Sequence, residues 1–373
     1  MSRTKVGLAL LAVGGLLAAC GSQGSSTGES SATTPQSSPA TTTQASTGAG
    51  PGGAASSGSV PASAGGSLLI YNAQHENLTK AWADAFTTRT GIKVEIRSGD
   101  DLEMGNQLVA EGAASPADVF ITENSPGMNL VDKAGLFAGV DKATLSAVPS
   151  QYSPADGKWV GVAARSTVFV YNTSKLKEAD LPASLMDLAD AKWKGRWGAS
   201  PGGADFQAIV SAMLALKGED ATRSWLTAAK ENAKPYKGNS TVMKAVNAGE
   251  IDGGVIYHYY WYGDQAKTKE NSANTALHFF GGKDPGAFVS VSGAGVLASS
   301  KHQEQAQQFL KFITGPEGQK IVADTVVEYP LTDVVTENNK ALKPLSTLDA
   351  PTIDPATLNS PQVTELMTEA GLL

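Results

Sequence analysis

The sequence predicts an α/β protein that is long enough for two lobes. Short apolar strands and amphipathic helices alternate from Leu68 onward in the order β-α-β-α-β, which is typical of a parallel sheet covered by helices. Residues 67–373 have an ordinary globular composition and suffice for two domains. The chain contains one cysteine, so no disulfide can form within it and the fold must depend on its hydrophobic core.

The first 20 residues have the layout of a secretory signal. Arg3 and Lys5 precede an apolar run, residues 6–17, that is too short to span a bilayer. The run ends in Leu17-Ala18-Ala19-Cys20, which resembles a bacterial lipobox, whose cysteine is lipidated and becomes the new N-terminus. We therefore expect Cys20 to anchor the protein on the extracytoplasmic face of the cell membrane.

Residues 21–66 consist almost entirely of Ser, Thr, Gly, Ala, Pro and Gln. Their one charge is Glu29 and their largest apolar side chain is Val60. Such a segment buries too little apolar surface to offset the entropy of ordering, so it is predicted to be a disordered tether. As a flexible coil it would separate its ends by about 40 Å. An O-glycosylated stalk is compatible with the same composition.

Charge and hydropathy limit the partners of the chain. The net charge is −7 and the pI is about 5.2, and no basic patch stands out, so nucleic-acid binding is disfavoured. No second apolar stretch is long enough to cross a membrane, so contact with the membrane is expected through the lipid anchor only.

The first lobe is predicted to place a histidine and a glutamate at one sheet edge. Strands are expected at 68–71, 92–96 and 118–121, with a helix that ends near residue 90 and a second helix capped by Asp101. His75 follows the first strand and Glu123 follows the third. Ligands of open α/β sheets bind at the carboxyl ends of strands, where both side chains would lie.

The second half contains crossing strands and a glycine-rich turn. Strands at 158–162 and 167–171 are expected to cross between the lobes, and another strand is expected at 288–297. Pro201-Gly202-Gly203 precedes a helix at about 205–217, and backbone N–H groups at such a helix start attract an anion. An ordinary turn between strand and helix fits equally well. Further helices are predicted at 221–231, 241–248 and 303–312, with a short one near the C-terminus.

Residues 255–262, Val-Ile-Tyr-His-Tyr-Tyr-Trp-Tyr, hold four of the nine tyrosines of the chain. They predict a short strand that ends in clustered phenols. Two ligand classes fit, and packing of these rings in the core or an interface is a third interpretation. A trivalent metal such as Fe(III) favours phenolate, because its charge overcomes the usual phenol pKa near 10. An organic cation could instead bind in an aromatic cage that includes Trp261.

An enzyme is the weakest hypothesis. The sequence contains no Gly-x-Ser-x-Gly motif, no P-loop and no Rossmann glycine fingerprint. His258 could serve as a base next to Tyr257, but nothing nearby is an activated nucleophile. We therefore predict that the chain is not an enzyme.

Several motifs, taken together, resemble the periplasmic ferric-ion-binding proteins of bacterial ABC transporters. The matching segments are Tyr71-Asn72-Ala73-Gln74-His75, Ser115-Pro116-Ala117-Asp118-Val119-Phe120 with Glu123, Arg165-Ser166, Lys234-Pro235-Tyr236, Asn239-Ser240, Tyr259-Tyr260-Trp261, Asp284-Pro285-Gly286-Ala287 and Glu328-Tyr329-Pro330-Leu331. They follow the family's order from about residue 68 to 340. The resemblance implies the bilobal periplasmic-binding-protein fold, with the ligand in a cleft between two α/β lobes joined by hinge strands.

The resemblance also implies the domain limits and the function. The N-terminal lobe would comprise 67–165 and 290–340, and the C-terminal lobe 166–289 and 341–373, after the signal (1–20) and the tether (21–66). The protein would be a monomer that closes on ferric iron and delivers it to an ABC permease. By position in the family's motifs, the implied iron ligands are His75, Glu123, Tyr259 and Tyr260.

An exogenous anion completes the coordination in this family, and here the sequence departs from the pattern. The anion loop is Gly203-Ala204-Asp205, and Tyr257 replaces an asparagine, while Asn239 is retained. A carboxylate at Asp205 would repel phosphate. We expect Arg165 with a bidentate carbonate, or Tyr257 as a third phenolate, to fill the site. A structural salt bridge of Arg165 and core packing of Tyr257 are the alternatives.

Overall fold

The computed structural model describes residues 66–373. Its strands are β1 Ser67–Ala73, β2 Lys93–Ser98, β3 Val119–Thr122, β4 Val160–Asn172, β5 Trp197–Ala199, β6 Ala233–Pro235, β7 Gly253–Tyr257, β8 Thr275–His278 and β9 Val289–Val296. They form one mixed sheet in the order β2-β1-β3-β9-β4-β7-β5-β6, with β8 paired to β4. The predicted signal with Cys20, and the predicted tether apart from Gly66, lie outside the described residues.

Helices cover the faces of this sheet. They are α1 Glu76–Thr90, α2 Asp101–Glu111, α3 Ser125–Lys133, α4 Lys142–Leu145, α5 Ala204–Lys217, α6 Glu219–Asn232, α7 Asn239–Asn247, α8 His258–Lys267, α9 Gln303–Thr314, α10 Pro316–Thr325 and α11 Ser360–Glu369. Within the described part of the chain, no helix combines the length and the apolar character needed to cross a bilayer.

The predicted β-α-β-α-β order at the start of the globular part is confirmed. β1 pairs in parallel with β2 on one side and with β3 on the other. Helix α1 buries Leu78, Trp82 and Phe86 against this sheet at the spacing that the sequence predicts. The prediction that Asp101 caps α2 is wrong, because Asp100 is the N-cap and its carboxylate accepts a hydrogen bond from the backbone of Leu102.

The strands predicted at 158–162 and 167–171 are a single strand, β4. Its first part pairs with β9, from Val160 to Ser166, and its second part pairs with β7. Arg165 and Ser166 do not interrupt it, because each has a buried partner: Glu328 accepts from Nη2 of Arg165, and His258 accepts from the backbone N–H of Ser166. This long strand connects the part of the sheet around β1 to the part around β7.

The tyrosine segment changes from strand to helix at one residue. β7 ends at Tyr257, and α8 begins at His258. Tyr257 and Tyr259 therefore belong to different elements, so the alternation of side chains along a strand does not relate their directions. The start of β7 is closely packed: a Cβ on Gly253 would lie 2.2 Å from Cζ of Phe169, whose ring packs edge-on against Trp193.

Buried apolar side chains divide into sets on either side of β4. One large cluster contains Leu68, Trp82 and Phe309, and another contains Trp197, Phe206 and Trp225. The C-terminal segment contributes to both, since Leu348 packs in the first and Leu358 in the second. Residues of both predicted lobes belong to one continuous body, so the lobe limits at 165/166, 289/290 and 340/341 stay a prediction.

We expect Gly253→Ala to destabilise the protein by about 1–3 kcal/mol, because the added methyl group overpacks the Phe169 ring. Thermal unfolding followed by circular dichroism should show a lower Tm. Gly202→Ala is the matched control, since a Cβ there has no neighbour within 4 Å, and its Tm should be unchanged. Equal Tm values for the two variants would contradict this account of β7.

Candidate metal centre

The carboxyl ends of β1 and β3 bring His75 and Glu123 together, as the sequence predicts. His75 is the N-cap of α1, and Glu123 follows the last residue of β3. Because β1 and β3 are parallel neighbours, both loops leave the same edge of the sheet. The Nε2 atom of His75 lies 3.5 Å from Oε1 of Glu123.

A buried carboxylate holds the loop that carries Glu123. Asp101 accepts hydrogen bonds from the backbone N–H groups of Glu123, at 2.8 Å, and Asn124, at 3.1 Å. Burial, together with the nearby charge of Glu123, raises the pKa of Asp101 well above its usual value. The loop after β3 is thus fixed by the first turn of α2, which orients the Glu123 side chain toward the second part of the sheet.

The phenols of the pair Tyr259 and Tyr260 arrive from the first turn of α8. The Tyr259 hydroxyl donates to Oε1 of Glu123 at 2.8 Å, and the two phenol rings stack with their centroids 4.2 Å apart. Burial, followed by the charges of Asp205 and Glu123, raises the pKa of both phenols. Both hydroxyls therefore keep their protons at neutral pH unless a strongly charged cation favours the phenolate.

The sequence interpretation named Asp205 only as a charge that repels phosphate and did not predict its contact with the phenols. Asp205 lies in the first turn of α5, and its Oδ2 atom accepts from the Tyr260 hydroxyl at 3.2 Å and from the Tyr259 hydroxyl at 3.5 Å. Asn239 donates to the same oxygen at 2.7 Å, and Asn124 donates to Oδ1 at 3.1 Å. Burial, and then the charge of Glu123, raise the pKa of Asp205 to about 7.

One sequence signal could have found Asp205. It is the acidic residue in the first turn of the helix that follows the glycine-rich turn, which is the place where an anion was expected. Its charge suggested only that phosphate is repelled. The structure instead brings this carboxylate to both phenols, so the chain itself supplies an anionic group there.

The predicted anion residues have other contacts in the structure. Gly203 and Ala204 form the N-cap and the first turn of α5, and the Asn239 amide is bonded to Asp205. The Tyr257 hydroxyl is buried and lies 3.3 Å from the backbone oxygen of Asp205, and burial raises its pKa well above the usual value. Among the described contacts, this hydroxyl is not bonded to any of the four predicted ligands.

Arg165 forms the buried salt bridge that the sequence left as an alternative. Its Nη2 atom donates to Oε2 of Glu328 and to Oγ of Ser292, each at 2.8 Å, and both charged side chains are fully buried. Burial opposes ionisation of Glu328, but Arg165 and His75 outweigh it and hold its pKa at about 2. A role of Arg165 in holding carbonate stays a prediction.

Two other predicted roles find little support in the geometry. His258 is buried with a pKa of about 3, lowered by burial, and its Nδ1 accepts from the backbone of Ser166, so it is not placed as a base for Tyr257. The rings of Tyr259 and Tyr260 stack on each other, and the Trp261 indole donates to Thr275. Rings packed in this way do not converge on a shared space, which an aromatic cage for an organic cation requires.

Neighbouring donor atoms of the candidate site are spaced like adjacent ligands of one ion. Consecutive contacts from Nε2 of His75 through Glu123, Tyr259 and Asp205 to the Tyr260 hydroxyl measure 2.8–3.5 Å. Two ligands bound at right angles to one cation at about 2.1 Å lie about 3 Å apart. Four oxygens that can each carry negative charge and one imidazole form a set suited to a hard, highly charged metal ion.

Comparisons with known proteins show the family of the chain. Residues 114–356 match the family model described as bacterial extracellular solute-binding protein. The chain is 64% identical over 317 residues to a Fe(3+)-binding periplasmic protein of Serratia marcescens, covering 85% of this chain and 94% of the relative. It is 38% identical over 308 residues to the major ferric iron-binding protein of Neisseria meningitidis serogroup B, covering 82% and 93%.

Solved structures confirm the fold. Iron-bound HitA from Pseudomonas aeruginosa superposes with a TM-score of 0.76 at 43% identity, over 82% of this chain and 99% of that chain. These relatives are binding proteins for a solute, which agrees with the prediction that the chain is not an enzyme. The chain therefore belongs to the bacterial extracellular solute-binding proteins and has the α/β periplasmic-binding-protein fold.

Proposed function

We propose that this protein captures ferric iron in the cleft between two lobes for iron uptake. The observation that carries the proposal is a series of contacts of 2.8–3.5 Å that links one imidazole, two carboxylates and two phenols, each to the next. Fe(III) is the biological cation whose charge favours deprotonation of buried phenols. The ferric-iron-binding relatives support the same ligand.

The ligands in this proposal are His75, Glu123, Tyr259 and Tyr260, with Asp205 as a fifth. Asp205 already lies where an oxygen donor can meet both phenols, so its carboxylate takes the place of an exogenous anion. Asn239 and Asn124 donate hydrogen bonds to that carboxylate and keep it oriented. Arg165 is engaged with Glu328, so carbonate is an addition to this site rather than a requirement.

Delivery and location are part of the same proposal. The closed, iron-bound form would dock on an ABC permease, and the lipidated Cys20 would keep the protein, as a monomer, on the extracytoplasmic face of the cell membrane. The acidic pI and the signal-like first 20 residues support this location. The alternative ligand, an organic cation, would interact with ring faces rather than with phenol oxygens, and the mutual stacking of Tyr259 and Tyr260 disfavours it.

The phenolates should produce a visible charge-transfer band when ferric citrate is added to the purified protein. We expect Tyr259→Phe and Tyr260→Phe each to weaken iron binding and shift the band, because each loses one phenolate while keeping the ring. The double variant should lose the band. Tyr236→Phe, at a partly exposed tyrosine, is the control and should keep it. A double variant with the full band would refute the iron proposal, whereas an organic cation predicts mild effects throughout.

The role of Asp205 can be tested with and without added anions. Wild-type protein should load iron equally well in buffers stripped of phosphate, of carbonate or of both. Asp205→Ala should bind iron at least tenfold more weakly, and added carbonate or phosphate should partly restore the visible band by filling the vacated position. The exposed N-cap variant Asp141→Ala is the control and should behave like wild type.

Two results would overturn this assignment. Loss of iron binding by the wild type on removing phosphate alone would show that an exogenous anion, rather than Asp205, completes the site. Loss on removing carbonate alone would point to an anion held by Arg165.

The lipid anchor has a separate test. Cys20→Ala should move the protein from the membrane fraction to the soluble fraction of cells, because no acyl chain can be attached. Metabolic labelling with a radioactive or clickable fatty acid should mark the wild type only. An unlabelled wild type whose fractionation matches that of the variant would contradict the anchor.

A further inference from the structure

Glu328 has an oxygen that the ion pair with Arg165 does not use. This residue lies in the segment after α10, next to Tyr329, whose backbone bonds to Ala164 of β4. Its Oε2 atom accepts from Arg165, whereas Oε1 is buried and is paired only with the His75 imidazole among the described residues. That oxygen lies 3.0 Å from Nε2 of His75. A cation that replaces the proton on Nε2 of His75 would therefore lie within reach of this carboxylate oxygen.

His75, Glu123 and Glu328 together have the spacing of a metal site. One donor atom from each lies within 4.8 Å of the others, and Nε2 of His75 is 3.0 Å from Glu328 and 3.5 Å from Glu123. Ligands that bind one Zn²⁺ tetrahedrally at about 2.0–2.2 Å lie about 3.5 Å apart. The three donors therefore need only small movements to bind one ion.

The charge of this group suits a divalent ion. Arg165 and Glu328 neutralise each other, and Glu123 contributes one further negative charge. A divalent cation would leave a net charge of about +1 there, without requiring any phenol to lose its proton. One imidazole and two carboxylates are a donor set that Zn²⁺ accepts.

None of the three ligands His75, Glu123 and Glu328 lies on α8, the helix that carries Tyr259 and Tyr260, or on α5, which carries Asp205. His75 follows β1, Glu123 follows β3, and Tyr329, next to Glu328, packs in the same hydrophobic cluster as Leu68 of β1. No atom from α5 or α8 is needed. This separates the group from the ferric donor set, which depends on Asp205, Tyr259 and Tyr260.

We propose that His75, Glu123 and Glu328 form a second cation site, which binds a divalent transition-metal ion such as Zn²⁺ without the phenols. The site shares His75 and Glu123 with the proposed ferric set, so the two cations exclude each other. Glu328 is the ligand that belongs to the divalent site alone. This inference goes beyond the proposed function and does not depend on it, since Zn²⁺ binding and the ferric band are measured separately.

Calorimetric titration of the metal-free protein with Zn²⁺ is the first test. We expect one equivalent to bind, and the Tyr259→Phe/Tyr260→Phe double variant to bind it within about threefold of wild type. His75→Ala and Glu328→Gln should each weaken Zn²⁺ binding at least tenfold. His302→Ala, which alters a half-exposed histidine paired with Asp118, is the matched control and should leave it unchanged.

Glu328→Gln leaves the Arg165 guanidinium buried beside a neutral partner, so a second test uses wild-type protein. The chain has 4 histidines, at 75, 258, 278 and 302, whose ring nitrogens can be resolved by ¹⁵N NMR. Substoichiometric Mn²⁺ should broaden the His75 signals first. An absence of Zn²⁺ binding, a loss of it in the tyrosine double variant, or broadening of His302 ahead of His75 would each overturn the proposal.

The last test measures whether bound Zn²⁺ blocks the binding of ferric iron. Zn²⁺ added before ferric citrate should slow the appearance of the visible band in the wild type, and it should have little effect in Glu328→Gln. A protein that binds Zn²⁺ at His75 but never develops a band would refute the ferric proposal alone. A protein with a normal band and no Zn²⁺ binding would refute the second site alone.

Discussion

The side-chain amide of Asn124 joins the two halves of the site. Its Nδ2 group donates one hydrogen bond to Asp101, beside β3, and another to Asp205 on α5, each at 3.1 Å. Its Oδ1 atom accepts from Ser290 of β9 at 2.7 Å. All of these groups are buried away from water. The hydrogen bonds from Asn124 therefore satisfy carboxylate oxygens that water would bond in an exposed group. Asn124 thus links the carboxylate that holds the Glu123 loop to the carboxylate that meets both phenols.

The same arrangement collects negative charge in a place with little water. Asp101, Glu123, Asp205 and Glu328 lie around the cleft, and among the described residues Arg165 is the buried cation that offsets them. Burial therefore raises the pKa of Asp101 and Asp205, while Glu328 is kept ionised by Arg165. The proposed metal ion would relieve this repulsion.

The two proposed donor sets draw their ligands from different parts of the fold. Groups near β1 and β3 offer an imidazole and carboxylates, which accept a divalent ion, whereas α5 and α8 add the phenols and Asp205, which select a trivalent one. His75 and Glu123 belong to both sets. The choice between a divalent and a trivalent ion would therefore depend on whether Glu328 or the phenols and Asp205 complete the coordination. In these proposals, the phenols and Asp205 are the groups that would distinguish ferric iron from divalent competitors.

Local patterns in the sequence determined the elements and four of the converging side chains. Strand and helix periodicity predicted β1 to β3 and α1, and the rule that ligands gather at strand carboxyl ends placed His75 and Glu123 side by side. The resemblance to ferric-binding proteins added the tyrosine pair. These inferences succeed because each depends on a short segment, or on neighbours in one sheet, whose geometry is nearly invariant.

Only the tertiary structure decided the roles of Asp205, Glu328 and Arg165. Asp205 and Tyr260 are 55 residues apart, and Gln74, beside His75, is 254 residues from Glu328, so no local pattern relates them. Whether a carboxylate repels an anion, replaces it or pairs with an arginine depends on distances of a few ångströms between separate elements. The sequence identified which chemical groups were present, but packing determined which atoms face one another, because electrostatic interactions at a buried site depend steeply on distance and on the exclusion of water.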